Sequence, residues 1–164
     1  MEAIDGYLRV LAKAADGGQT LTDLAALVDD LADVVLHGVR ESEFDAVLSS
    51  LFSDGLVKFV RALPGDRERA KVHENIMKLI MDVMKLAKHR IGLYGPVIVN
   101  TALKVFRRDS GAALRASALN VISRLYELKL NMQLLPEDEA ASLIDLLWKE
   151  FRATKTATGT CSLL

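Results

Sequence analysis

Apolar residues recur along this chain at helical spacing, in runs separated by glycine, proline and short polar stretches. Ile4, Leu8, Leu11 and Ala15 predict a helix over residues 2–15, closed by Asp16-Gly17-Gly18. A second helix opens at Thr20 or Thr22 and runs to His37, with Leu24, Leu27, Val28, Leu31, Val34 and Val35 on one face. Gly38 lies just past its end. Ser42 and Asp45, three apart, make a capping-box-like start for a helix through Leu51-Phe52, and Ser53-Asp54-Gly55 predicts a turn. Residues 55–63 read as a short apolar helix stopped by Pro64-Gly65. Residues 66–90 read as a long one whose apolar face is Val72, Ile76, Leu79, Ile80, Val83 and Leu86. Pro96 opens a helix to about Arg107, Asp109-Ser110-Gly111 predicts a turn, and a further helix reaches about Lys129. The last helix runs from Pro136 through Leu143, Leu146, Leu147 and Phe151. The small polar run Thr154–Thr160 predicts a flexible tail.

Part of this pattern repeats. Gly55, Val57, Phe59 and Leu63 return 40 positions later as Gly95, Val97, Val99 and Leu103. Val72, Ile76, Leu79, Ile80, Val83 and Leu86 return 42 positions later as Leu114, Ala118, Val121, Ile122, Leu125 and Leu128. A period of that length denotes stacked helical units. The chain has 164 residues, 51% of them apolar but only 5% aromatic, so the core is aliphatic and the class all-α. The expected organisation is a single domain over 1–153, followed by a tail over 154–164. Within the domain, 1–52 are N-terminal capping helices, 53–130 hold the repeats and 136–153 form the C-terminal helix.

The pairing of a short with a longer helix resembles the armadillo repeat, a close relative of the HEAT repeat. The resemblance rests on Gly95-Pro96-Val97-Ile98-Val99 followed by Leu114, Ala118, Val121, Ile122 and Leu125. Gly55-Leu56-Val57 followed by Val72, Ile76, Leu79, Ile80 and Val83 repeats it. It implies a right-handed superhelical stack that holds other proteins in a groove. Peptide-binding members of that family line the groove with a ladder of asparagines. The matching positions here are Asp82 and Arg124, with Lys78 and Asn120 beside them, so the ladder is absent. The resemblance places Lys78, Asp82, Asn120 and Arg124 in the groove, as contacts for a partner.

Charge sharpens the partner. Residues 1–54 carry net −8, residues 55–130 net +9 and residues 131–164 net −2. An Arg rim at Arg61, Arg67, Arg107 and Arg108 suits a protein that presents an acidic surface. The same basic middle admits a nucleic-acid alternative, although no exposed aromatics interleave with it for stacking. A third reading is a subunit of a larger assembly, with Phe52, Phe59 or Trp148 as apolar edges buried by neighbours. No enzyme is expected. His37, His73 and His89 fall on separate segments without metal-ligand spacing, and no phosphate loop, His-Glu-x-x-His or nucleophile elbow occurs. Asp29 and Asp33 share a helical face as an ordinary solvated stripe. No metal or other cofactor is implied.

The single cysteine fits a reducing compartment, and the acidic start lacks a secretory signal, so a cytoplasmic protein is expected. Cys161-Ser162-Leu163-Leu164 matches a prenylation box whose terminal leucine favours a geranylgeranyl group. A lipid on Cys161 would tether the module to a membrane surface. The expected function is thus a non-catalytic scaffold or adaptor for protein–protein contact.

Overall fold

Aliphatic side chains three and four apart place one face of each helix in water and the other against a neighbour, and the architecture follows from that constraint. A computed structural model describes residues 2–14, 21–62, 69–107, 111–128, 130 and 133–159. Its α-helices are α1 (Glu2–Ala14), α2 (Leu21–His37), α3 (Phe44–Ser49), α4 (Leu56–Ala62), α5 (Ala70–Ala87), α6 (Gly95–Arg107), α7 (Ala112–Glu127) and α8 (Glu137–Gly159). Among the described residues there is no strand. The chain divides into two units, Met1–Met132 and Gln133–Leu164, where the sequence suggests one domain over 1–153.

In the first unit the helices form two rows. One row is α1, α4 and α6, each packed on the next; the other is α2, α5 and α7. The pairs α1/α2 and α6/α7 join the rows at either end. The fold class is therefore an all-α stack of helical repeats. Leu24, Val28, Leu31 and Val35 of α2 are buried, and each stands 48 positions before Val72, Ile76, Leu79 and Val83 of α5. Those in turn stand 42 before Leu114, Ala118, Val121 and Leu125 of α7, all likewise buried. The stack thus contains a further helical pair, α1/α2, in the segment read as capping helices. A longer first interval hides it from a search at fixed period.

The boundary expected at residue 52 falls inside a continuous helical run. Between α3 and α4, Ser50–Gly55 forms a π-helical segment, in which the Leu56 N–H donates to the Leu51 carbonyl five residues back. Ser53-Asp54-Gly55 therefore does not turn the chain. Glycine serves packing here: a Cβ on Gly55 would lie 2.7 Å from Leu8 Cδ1 of α1 and 2.8 Å from the Ser50 carbonyl oxygen. Tertiary contact has overridden local turn preference.

Helix α5 stops at Ala87 rather than Arg90. Lys88 adopts φ 49° and ψ −122°, with its N–H still bonded to the Met84 carbonyl. A 3₁₀ segment, Lys88–Tyr94, then leads into α6. Leu86, expected on the core face, is 51% exposed; Met84 and Ala87 close the buried face instead. Phe52 and Phe59, proposed as exposed apolar edges, are buried, and the Phe52 ring lies 5.8 Å from that of Tyr94. Among the described residues, three polar side chains share the core. His73 pairs through Nδ1 with the Arg69 carbonyl, Thr101 donates to the Val97 carbonyl, and Asn75 Nδ2 donates to the Ala25 carbonyl of α2 at 3.3 Å.

In the second unit Leu134, Leu135 and Leu143 are buried, while Ile144 and Trp148 are exposed one turn apart on α8. Residues 154–159, expected as the start of a flexible tail, continue that helix. No glycine or proline interrupts the sequence between Pro136 and Gly159, so nothing in it stops propagation. The remainder of the expected tail, 160–164, lies outside the described residues.

Candidate interaction surface

The outward faces of the second row carry the charge asymmetry seen along the chain. On α2 the exposed stripe is Asp23, Asp29, Asp30 and Asp33; on the adjoining α5 it is Lys71, Lys78 and Lys85, seven residues apart. Spacing of seven on a 3.6-residue helix keeps the three lysines in one line. Segments of opposite charge thus become neighbouring helices.

Of the residues expected to contact a partner, Lys78 is exposed on α5 and Asn120 on α7, the helix packed beside it. Their companions are half-buried and locally neutralised. Asp82 accepts a hydrogen bond from Lys85 Nζ at 2.7 Å, and Arg124 donates to Glu127 at 2.9 Å. Each pair sits on one helix three residues apart, a geometry that contributes only tenths of a kcal/mol, about 0.3–0.5, and leaves both groups available to a competitor. Arg107 is exposed at the end of α6, in the other row. The side chain of Arg61, together with Arg67, Arg108 and Cys161, lies outside the described residues.

Sequence reasoning missed a depression where two connections meet: the one from α2 to α3 and the 3₁₀ segment from α5 to α6. Its volume is about 520 Å³, and Val35, Val39, Phe44, Leu86 and Ala87 line it, with Lys88, His89 and Arg90 along one side. Arg90 reaches across to Glu41 at 3.4 Å, tying the two connections together. Next to it, Arg40 holds Glu43 through two hydrogen bonds, at 2.8 and 3.2 Å, which keep that carboxyl below its ordinary pKa. The available signal was the run Lys88-His89-Arg90 directly after the apolar face of α5. A helix read through to Arg90 absorbed it. A second depression, about 530 Å³, lies between α1 and the π-helical segment beside Arg9, Ser50 and Lys58.

Among the described residues no group of three or more His, Cys, Asp or Glu side chains is placed to hold a metal ion. No helix there is long and apolar enough to cross a membrane.

Two rows of helices stacked pair upon pair, with a charged outer face and an aliphatic core, define a helical-repeat protein. The family model described as DNA-PKcs, N-terminal, matches residues 45–162, and the chain belongs to that family. A curated relative, the DNA-dependent protein kinase catalytic subunit of Dictyostelium discoideum, is 29% identical over 107 residues. That alignment covers 62% of this chain and 2% of the relative, so the chain spans a small part of that protein's length. No solved structure matches.

Proposed function

We propose that this chain is a non-catalytic segment of an armadillo/HEAT-type scaffold that holds another protein against its second row of helices. The observation that carries the reading is the lysine line Lys71, Lys78 and Lys85 on α5, set beside the acidic face of α2. A charge boundary of that kind orients an approaching acidic surface and excludes partners in the wrong register. The matching family describes an N-terminal region of a much longer protein, which supports a structural role rather than a reaction. Ile144 and Trp148, half exposed on α8, support a place within a larger assembly.

Photo-crosslinking residues incorporated at Lys78 and Asn120, with Lys104 on α6 as control, test the reading in native cells. Protein adducts from the first two positions in excess over the control support it. Equal yields at all three would overturn the choice of face.

Contact with nucleic acid is a second reading, favoured by the same lysine line and by the DNA dependence in the relative's name. Nucleic-acid adducts at Lys78, lost steeply with salt, would establish it instead. Prenylation of Cys161 is a separate proposal. The family match runs through that residue to position 162, and the intact mass of native protein beside Cys161→Ser decides the matter.

A further inference from the structure

The reading as a protein-binding scaffold leaves the depression between the two connections without a role, and the inference here rests on that reading. Three features converge on it. Its floor is apolar: Val35, Phe44 and Ala87 are buried beneath it, and Leu86, 51% exposed, stands at its side. Its rim is basic: Lys88 and Arg90, with the His89 imidazole between them, are consecutive and exposed, against the single carboxylate of Glu41, which already faces Arg90. The turn that delivers the rim is strained: Lys88 is the one non-glycine residue with positive φ among the described residues. The α-helical path of α5 breaks there, and Lys88, His89 and Arg90 line the depression.

We propose that this depression receives a short segment of a partner protein, one bearing a leucine- or phenylalanine-sized side chain flanked by aspartate or glutamate. The apolar side chain would cover Leu86 and rest over Phe44 and Ala87, while the flanking carboxylates meet Lys88 and His89. A nucleic-acid strand fits less well. Phosphates gain nothing from an aliphatic floor, and Phe44, the one aromatic ring in the lining besides the His89 imidazole, is buried. The site is open and, at about 520 Å³, has room for a short peptide stretch around one anchor residue.

Selection of a phage library of short random peptides on the full chain, followed by fluorescence polarisation of the recovered peptides, tests this. The expected winners pair a large apolar residue with Asp or Glu. Their binding weakens at least about tenfold in Leu86→Glu and several-fold in His89→Glu, and is unchanged in Lys104→Glu, at an exposed position on α6. Because Leu86 and His89 are exposed, both variants should keep the parent circular dichroism and melting temperature. Peptides that lose affinity in Lys78→Glu but not in Leu86→Glu would overturn this site while leaving the scaffold reading intact. Winners without acidic residues would overturn the rim's role. Oligothymidine that binds the parent, loses affinity in His89→Glu and keeps it in Leu86→Glu would assign the rim to nucleic acid and overturn the proposal.

Discussion

At Gly55 and Lys88 the backbone itself sets what residue is tolerated. Gly55 lies where a methyl group would press on both Leu8 and the Ser50 carbonyl oxygen. The Leu8 tip can shift by rotamer change, but the carbonyl belongs to the π-helical segment and cannot. Gly55→Ala should therefore destabilise the fold by about 1–3 kcal/mol despite the helix preference of alanine, as measured by urea unfolding. An unchanged midpoint would mean that the π-helical geometry yields readily. Lys88 presents the opposite case, a side chain where glycine belongs. Lys88→Gly should raise stability by about 1 kcal/mol, because the gain from relieving positive φ exceeds the entropy added to the unfolded chain. A drop in melting temperature would show that the lysine side chain contributes more than its backbone costs.

Among the elements, those whose burial follows a regular 3.6-residue stripe were legible from the sequence. Helices α2, α5, α6 and α7 lie within a few residues of their expected bounds, because apolar periodicity and flanking glycines agree there. Legibility failed where local chemistry and tertiary contact disagree. Ser53-Asp54-Gly55 has turn composition but is held helical by packing against α1. Leu86 continues a stripe whose helix ends one residue later. The helices α1 and α2 were legible, but their relation to the repeat was not, because the interval from α2 to its successor is 48 residues where the next is 42. Of the candidate site, the lysine and asparagine positions were legible as outward residues on their helices. The edge depression was not, since it depends on two connections meeting 49 residues apart in sequence. If α2 is a full member of the stack, Leu31→Ala should cost as much as Leu79→Ala, about 2–5 kcal/mol each by denaturant titration. A loss several-fold smaller at Leu31 would return α1/α2 to the status of a loosely attached cap.

For the molecule as a whole, stability in a stack is shared between neighbours rather than gathered in one centre. Residues 1–132 possess their own buried rows, so a fragment of that length should fold cooperatively and show slow amide exchange in α5 and α7. Fast exchange throughout would refute its independence. A stack of near-equivalent aliphatic faces carries a second demand. The repeating buried positions on α2, α5 and α7 are Leu, Val, Ile and Ala, joined on α5 by Met77 and Met84, and their hydrophobicity alone does little to tell one helix from another during synthesis. Asn75 does more. Its amide finds the Ala25 carbonyl when α5 lies on α2 in native register, and would be stranded in an apolar interface if α5 docked one turn out of place. One buried amide thus acts as an address on an otherwise interchangeable surface. Its worth would be measured less in the energy of the finished fold than in the fraction of chains that reach it unaided.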